Sequence, residues 1–316
     1  MIAFIFPGQG SQKVGMGKAL AESFPEARAV FDEADAAFAA GVAGSARLSS
    51  LCFEGPDDQL MLTEHTQPAI LTVSVAAARV LASHGIAPDV VAGHSLGEYS
   101  ANVVSGVLRF NDAVQIVRRR GRYMQEAVPV GHGAMAAILG LDPGTVKRAC
   151  DEAAQGEVVS PANINSPDQV VISGAAAAVQ RASERAKALG AKRAVPLPVS
   201  APFHCALMKP AEQRLEPELR ALAIGDPQVP IVANVDARPR QDGPAAIDAL
   251  VRQVSAPVLW EGIVQYLASA GVTTYVEVGP GRVLGGLVKK VHRQAQVFAF
   301  AAPEDLESIL HVRSVG

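Results

Sequence analysis

The stretch VVAGHSLGEY at positions 90–99 constrains the fold more than any other part of the chain. An apolar segment suited to a buried strand ends in Gly93-x-Ser95-x-Gly97, and a helix-compatible segment follows over about residues 96–107. A nucleophile elbow requires this strand-turn-helix context, because the sharp turn leaves no room for side chains at the two flanking positions. Ser95 is therefore the candidate nucleophile. The alternative is a plain strand-to-helix turn that happens to hold a serine.

Length and composition limit the kinds of protein that can carry this turn. At 316 residues, 49% of them hydrophobic, the chain can bury a large core. Its net charge of -3 favours neither nucleic acid nor an anionic membrane as a partner. The three cysteines are far apart and form no Cys-x-x-Cys pair, which favours a reducing compartment and no metal site. Without a basic leader or a long apolar helix, the chain is expected to be cytoplasmic.

The N-terminus predicts a strand followed by a glycine-containing loop. Residues 2–6 are wholly apolar and end at Pro-Gly, as in a central strand that is covered on both faces. The loop at residues 8–12 permits a ligand to approach the backbone closely, but it matches neither the dinucleotide fingerprint nor the phosphate-loop template. A nucleotide site is therefore disfavoured, and a ligand loop and an ordinary tight turn both stay open.

Three consecutive arginines lie in a helix predicted over residues 111–128. Successive helical residues point about 100° apart, so the three side chains cannot share one face. Arg120 is four residues from both Ile116 and Met124, and it falls within their apolar stripe. An inward arginine needs a partner, because an unpaired buried charge is costly. The alternative is a surface arginine that snorkels to solvent.

The order of the predicted elements indicates an α/β protein. Short apolar strands alternate with helices along most of the chain, which is typical of a mostly parallel sheet. Residues 129–198 depart from this alternation, with the order βαββαβ of a ferredoxin-like subdomain. We therefore predict a core formed by residues 1–128 and 199–316, with residues 129–198 inserted as a subdomain.

A serine nucleophile needs a base, and two histidines compete for that role. His204 lies in a proline-constrained loop downstream of Ser95, where the chain returns to the core. A lone loop histidine is more often structural than catalytic. The rival is His94, but adjacent residues diverge around a sharp turn, so His94 is poorly placed to take the proton of Ser95.

Seven short blocks along the chain point to a known family. They are FPGQGSQ at 6–12, GHSLGEY at 93–99, RGRYMQ at 120–125, ANINSP at 162–167, PFH at 202–204, LVRQ at 250–253 and VEVGPG at 276–281. In this order they resemble the malonyl-CoA:acyl carrier protein transacylase family over essentially the whole chain. The resemblance implies an α/β-hydrolase-like core that carries a ferredoxin-like subdomain, in agreement with the order of elements.

The resemblance also implies catalytic roles for matching residues. Ser95 would attack the malonyl thioester with His204 as general base. The backbone carbonyl of Gln253, rather than an acidic side chain, would orient that histidine. The backbone N–H groups of Gln9 and Leu96 would form the oxyanion hole.

Substrate selection is implied in the same way. Arg120 would bind the free carboxylate of a malonyl group bidentately. Phe203 would leave little room for a branched acyl group, and Asn163 and Asn165 would complete the substrate site. The implied reaction moves malonyl from malonyl-CoA, through an acyl-enzyme on Ser95, to the phosphopantetheine thiol of acyl carrier protein for fatty acid biosynthesis. No cofactor is implied, because the CoA thioester is a substrate and the partner carries the phosphopantetheine.

Other functions stay open at this stage. A polyketide-type acyltransferase would use the same residues with another carrier protein. A serine hydrolase or thioesterase would use the same elbow but lose the acyl group to water. In a non-enzymatic docking module Ser95 would be inert, and the elbow, the inward arginine and the downstream histidine would coincide by chance.

Overall fold

The computed structural model of the chain describes residues 1–39 and 47–310. Residues 40–46 and 311–316, which the predicted core includes, lie outside the described residues. The strands are β1 (Ile2–Phe6), β2 (Val90–Gly93), β3 (Gly133–Leu139), β4 (Val159–Ser166), β5 (Gln169–Ala175), β6 (Arg193–Pro196), β7 (Ile231–Val232), β8 (Pro239–Arg240), β9 (Thr274–Val278) and β10 (Gln296–Phe300). The α-helices are α1 (Lys18–Ser23), α2 (Pro25–Ala39), α3 (Leu48–Glu54), α4 (Asp57–Leu60), α5 (Thr63–Ser83), α6 (Gly97–Val104), α7 (Phe110–Glu126), α8 (Pro143–Ala153), α9 (Ala176–Ala188), α10 (Lys209–Arg220), α11 (Gly243–Gln253), α12 (Trp260–Ser269), α13 (Leu284–Val291) and α14 (Leu306–Leu310).

Two sheets carry the architecture. The larger has the order β10-β9-β1-β2-β7-β8, and every pair in it is parallel except β7–β8. The smaller has the order β4-β5-β3-β6, and all of its pairs are antiparallel. The chain is therefore a mixed α/β protein with a sheet rich in parallel pairs, as the sequence predicted.

The centre of the larger sheet sets the position of the site. β1 and β2 are apolar runs, and β9 is buried throughout although it contains Thr274 and Glu277; such burial is typical of parallel strands covered by helices. In the register of β1 with β2, Phe6 lies opposite Gly93. The glycine loop after β1 and the serine turn after β2 therefore both lie at the carboxyl ends of the parallel strands, where α/β proteins place their ligands.

The smaller sheet has its own apolar cluster. Its elements follow one another as β3-α8-β4-β5-α9-β6, and buried residues of α8 and α9 pack on the sheet. A parallel bridge between Asn163 and Val258 joins β4 to the segment before α12. Residues of the smaller sheet thus reach the carboxyl ends of the strands of the larger sheet, where Ser95 lies.

Some elements differ from the sequence prediction. β7 has only two residues, because the chain turns at once and the N–H of Ala233 donates to the carbonyl of Arg238. The helix after the elbow ends at Val104 rather than near 107, just before Gly106, whose φ of 92° ends helices readily. Periodicity did not predict the short helices α1, α3 and α4 or the proline-containing α10. Within residues 1–39 and 47–310, no helix combines the length and apolar character needed to cross a membrane.

Candidate active site

Ser95 lies at the tight turn between β2 and α6. Its φ of 52° is in the left-handed region, which residues other than glycine rarely adopt. A Cβ on Gly93 would lie 1.9 Å from the backbone carbon of Gly97, and a Cβ on Gly97 would lie 2.0 Å from the carbonyl oxygen of Phe6. Both positions accept only glycine, so the predicted steric reason for the two glycines is confirmed.

Asn234 braces the backbone of this turn. Its Oδ1 accepts the N–H of Ser95 at 2.8 Å, and its Nδ2 donates to the carbonyl of Gly93 at 2.7 Å. The side chain is completely buried, just after the short strand β7 that pairs with β2. Sequence reasoning missed this residue; the available signal is its place just after an apolar strand, where polar side chains often serve a site.

His204 lies beside the nucleophile. Its Nε2 is 2.7 Å from Oγ of Ser95, and its Nδ1 is 3.0 Å from the carbonyl oxygen of Gln253 and 3.2 Å from that of Ala256. Carbonyl oxygens only accept hydrogen bonds, so Nδ1 carries the proton and Nε2 is the acceptor for the serine hydroxyl. The imidazole is thus oriented by main-chain carbonyls.

Burial keeps this imidazole neutral. Burial first, and then the positive charge of Arg120, lower the pKa of His204 from 6.5 to about 3. A neutral imidazole can accept the proton of Ser95 near neutral pH. The rival His94 points elsewhere: its Nε2 is 2.9 Å from Oδ1 of Asn165 and its ring packs against Trp260.

Arg120 is buried next to the nucleophile. Its side chain is only 1% exposed, which agrees with the inward position predicted from helical periodicity. Its neighbour Gly121 allows α7 to approach α5 closely, because a Cβ there would lie 2.6 Å from the carbonyl oxygen of Thr63. This approach brings the guanidinium against Gln67 of α5.

Neutral amide groups hold the guanidinium. Nη1 of Arg120 donates to Oε1 of Gln67 at 2.8 Å, and Nη2 donates to Oε1 of Gln253 at 2.8 Å and to Oγ of Ser95 at 3.3 Å. Among the described residues, no carboxylate forms an ion pair with Arg120, and its Nε has no hydrogen-bond partner. The positive charge is therefore fixed in place but left available to an anionic ligand.

The side chain of Gln253 links several parts of the site. Its Nε2 donates to Oε2 of Glu98 at 2.7 Å and to the carbonyl of Ser95 at 2.9 Å. The same Oε2 of Glu98 accepts the backbone N–H of Asn234 at 3.1 Å. Burial raises the pKa of Glu98 to about 7, although these hydrogen bonds act in the opposite direction. Sequence reasoning quoted Glu98 within the elbow motif and Gln67 within a helix but gave neither a role.

A cavity of about 320 Å³ opens onto Ser95 and brings most of the predicted site residues together. Its lining includes Gln9, Ser95, Arg120, Asn163, Phe203 and His204. A second cavity of about 250 Å³ shares Gln9 and Asn163 with the first and is also lined by Asn165. The predicted residue Asn165 thus lies behind His94, outside the lining of the first cavity.

Two further predicted residues lie at helix ends. Leu96 is buried immediately before α6, where backbone N–H groups have no acceptor within the helix. Gln253 is the last residue of α11, so its carbonyl is one of the terminal helix carbonyls that are free to accept from His204. In the described part of the chain, no three His, Cys, Asp or Glu side chains come together in a way that would hold a metal ion.

This arrangement can form a covalent acyl intermediate. A serine hydroxyl is paired with a neutral base at the turn that precedes the start of α6. A buried cation 3.3 Å from the same oxygen would hold the far end of a short anionic acyl group. The geometry therefore favours acyl chemistry on a small substrate that carries a carboxylate.

Comparisons with known proteins point in the same direction. Residues 3–304 match the family described as acyl transferase domain. The malonyl CoA-acyl carrier protein transacylase of Escherichia coli (strain K12) is 51% identical over 98% of this chain and 99% of its own, and that of Bacillus subtilis (strain 168) is 50% identical over 97% and 95%. A crystal structure of an acyl carrier protein S-malonyltransferase from Vibrio cholerae superposes with a TM-score of 0.94 at 46% identity, covering 98% of this chain and 99% of that one. A complex described as a type II PKS acyl-carrier protein with its malonyl-transacylase, PlMCAT:AntF, superposes with a TM-score of 0.95 at 47% identity, covering 99% of both chains.

Proposed function

The chain belongs to the acyl transferase domain family, and on this premise we propose that it moves a malonyl group from malonyl-CoA to the phosphopantetheine thiol of an acyl carrier protein, for fatty acid biosynthesis. Relatives that are 50% and 51% identical to this chain over nearly its whole length carry the name malonyl CoA-acyl carrier protein transacylase. The carrier protein and malonyl-CoA are thus the proposed partners.

The first half-reaction acylates Ser95. Its Oγ attacks the thioester carbonyl of malonyl-CoA while Nε2 of His204 takes the hydroxyl proton. The N–H groups of Gln9 and Leu96 stabilise the oxyanion of the tetrahedral intermediate. When the C–S bond breaks, CoA leaves as the thiol with the proton from His204.

The second half-reaction repeats these steps with a different thiol. His204 takes the proton of the phosphopantetheine thiol, the sulfur attacks the ester carbonyl, and the C–Oγ bond breaks as Ser95 regains its proton. The products are malonyl-carrier protein and free enzyme. No cofactor is needed, because the activated thioester supplies the driving force for acyl transfer.

The observation that carries this proposal is the guanidinium of Arg120. It is buried without an ion-pair partner among the described residues, and its Nη2 is 3.3 Å from Oγ of Ser95. In a malonyl ester on Oγ, a single methylene group separates the carboxylate from the ester carbonyl, so the carboxylate can fold back onto this cation. A charge-assisted pair in a buried site distinguishes malonyl from uncharged acyl groups.

The remaining site residues are proposed to shape the acyl and thiol sites. Phe203, which is 8% exposed at the wall of the first cavity, limits the space for a branched acyl group. Asn163 lines both cavities and is therefore proposed to contact the substrate. Asn165 acts one step further away, by holding His94.

We also infer the domain arrangement that creates this site. Residues 1–128 and 199–316 would form an α/β-hydrolase-like core, and residues 129–198 a ferredoxin-like subdomain. The strand order β4-β5-β3-β6 with α8 and α9 packed on the sheet supports the second assignment. The substrate would then bind where the two parts meet, beside the Asn163–Val258 bridge.

Intact-mass spectrometry tests the proposed reaction. The protein is mixed with malonyl-CoA, with or without phosphopantetheinylated acyl carrier protein, and Ser95→Ala is the matched control. We expect a malonyl adduct on the wild type alone, and its transfer to the carrier. An adduct lost to water at the same rate with and without carrier would instead establish a hydrolase, and no adduct would contradict the proposal.

A polyketide carrier is the second candidate acceptor. The relative in the PlMCAT:AntF complex is 47% identical to this chain and is described with a type II PKS acyl-carrier protein. Transfer rates to a fatty acid carrier and to a type II polyketide carrier, measured with the same acyl-enzyme, separate the two. Faster transfer to the polyketide carrier would reassign the partner but leave the acyl transfer chemistry intact.

A further inference from the structure

Glu98 is a buried carboxylate that the proposed reaction does not use. It lies in the first turn of α6, three residues after Ser95, and is 1% exposed. A buried carboxylate is costly unless hydrogen bonds or an opposite charge compensate it. Its place in the interior therefore calls for an explanation beyond the packing of an apolar core.

One oxygen of this carboxylate fixes two supports of the site. Oε2 of Glu98 accepts Nε2 of Gln253 at 2.7 Å and the backbone N–H of Asn234 at 3.1 Å. Asn234 in turn holds the backbone of Ser95. The contact with Gln253 determines which way a terminal amide points.

A glutamine amide can be turned by 180° with little change in shape, which exchanges its donor and acceptor ends. Only the oxygen end of the Gln253 amide can form a hydrogen bond with Arg120, because a guanidinium has donors alone. The acceptor Oε2 of Glu98, on the opposite side, requires the NH₂ end. Glu98, together with the carbonyl of Ser95 that accepts the same Nε2 at 2.9 Å, therefore selects the orientation of Gln253 in which Oε1 accepts Nη2 of Arg120 at 2.8 Å.

This link leaves the cation free for a ligand. A carboxylate in direct contact with Arg120 would occupy the donors that a malonyl carboxylate needs. The amide of Gln253 stands between the two charges, so Glu98 supports the guanidinium without neutralising it at the binding face.

We propose that Glu98 is a positioning residue for acyl-group selection, which acts through the side-chain amide of Gln253 to hold Arg120 ready for a substrate carboxylate. This inference rests on the proposed malonyl transfer. Glu98 touches neither the substrate nor the reacting atoms, so its loss should change the preference among acyl donors more than the chemistry.

The test compares Glu98→Met with Glu98→Gln. Methionine keeps the length of the side chain but offers no oxygen acceptor. Glutamine keeps an oxygen, and the N–H of Asn234 requires that this oxygen take the place of Oε2. For each variant, kcat/KM for acylation is measured with malonyl-CoA and with acetyl-CoA, and circular dichroism and thermal unfolding check the fold.

We expect Glu98→Met to lower the malonyl-to-acetyl ratio of kcat/KM about tenfold, the loss of roughly one good hydrogen bond. Glu98→Gln should keep the ratio within about threefold of the wild type. In an Arg120→Ala background, Glu98→Met should no longer change the ratio, because the residue through which Glu98 acts is gone.

Two results would overturn the inference. An equal loss with both donors in Glu98→Met would assign Glu98 a general structural role. A fall of tenfold or more in the ratio for Glu98→Gln would show that charge, not amide orientation, is what matters, and this result is decisive even if Glu98→Met does not fold. If the wild type itself fails to transfer malonyl, the proposed function fails instead.

Discussion

The two halves of the site are held in place by different kinds of groups. The reaction half, the pair Ser95 and His204 proposed to carry out the reaction, is fixed largely by the main chain: both residues have left-handed φ angles, 52° and 58°, and main-chain carbonyls orient the imidazole. The side chain of Asn234 adds a brace at the backbone of Ser95. The recognition half, Arg120, is fixed by the side-chain amides of Gln67 and Gln253.

This difference has a consequence for substitution. A main-chain carbonyl survives almost any change of side chain, whereas a side-chain amide is lost in one substitution. The chemistry should therefore be robust to changes in supporting residues, and the choice of acyl group should be easy to alter. The following predictions test that contrast, from the largest expected effect to the smallest.

His204→Ala removes the base of the reaction half. We expect acylation to slow by about 10³- to 10⁴-fold for malonyl-CoA and acetyl-CoA alike, because the residue acts on the bond that both donors share. Single-turnover kinetics with each donor measure this effect. A loss confined to malonyl-CoA would mean that the two halves are not separate.

Arg120→Ala removes the cation of the recognition half. Transfer of malonyl should fall on the order of 10²-fold, because a charge-assisted pair is lost, while acetyl and other uncharged acyl groups are admitted more readily. Competition between malonyl-CoA and acetyl-CoA, read by intact mass, gives the preference directly. A variant that still prefers malonyl would refute the role of Arg120.

Gln253→Ala separates the halves within one residue. The main-chain carbonyl that accepts from Nδ1 of His204 remains, but the amide that holds Arg120 is lost, together with its hydrogen bond to the carbonyl of Ser95. We expect kcat/KM for malonyl-CoA to fall about tenfold and that for acetyl-CoA to change by less than about threefold.

Gln67→Ala is the matched comparison for that variant. It removes the other amide of Arg120 without touching His204, so it should give a similar shift in preference. If Gln253→Ala slows both donors equally while Gln67→Ala does not, the side chain of Gln253 also supports the base, and the contrast between the halves is weaker than proposed.

Outside this ranking of activities, the pH dependence of stability tests the burial of the imidazole. The pKa of His204 is lowered to about 3 in the folded protein, so between pH 6.5 and 3 the unfolded chain binds a proton that the folded chain does not. This contribution to the free energy of unfolding is therefore complete above pH 6.5 and is lost as the pH falls toward 3. Urea unfolding of the wild type and of His204→Asn across this range should show a steeper acid loss in the wild type.

The variant is needed because Glu98 acts with the opposite sign. Its pKa is raised to about 7, so its protonated form favours the folded state at low pH, and that contribution declines as the pH rises from 4.5 through 7. The difference between wild type and His204→Asn isolates the histidine. Parallel pH curves for the two proteins would contradict a buried neutral imidazole.

Local patterns in the sequence predicted much of this molecule. Apolar runs and glycine turns located the central strands, and β1 has the predicted bounds. Helical periodicity placed Arg120 on the inner face of its helix, and the elbow pattern identified Ser95. These features depend on residues within one or two turns of each other, so their physical causes are present in a short stretch of sequence.

Other features depended on long-range contacts. Asn234 reaches the elbow across 139 positions, and Gln253 reaches Glu98 across 155. Such contacts have no periodicity or spacing to reveal them, because they arise only where separate elements meet. The pairing of His204 with Ser95 across 109 positions belongs to the same class. The sequence argued against His94 and the family resemblance implied His204, but only the structure brings its Nε2 next to Oγ.

The sequence by itself therefore determined the α/β architecture, the serine turn and the inward arginine, because periodicity and steric exclusion act locally. The family resemblance implied the carbonyl of Gln253 as an acceptor for the imidazole. The tertiary structure alone decided that the carbonyl of Ala256 joins it, which amides hold the cation and why a carboxylate is buried behind them. Those choices are made by hydrogen bonds between distant segments. Their geometry exists only after the sheet has placed β1, β2 and β7 side by side.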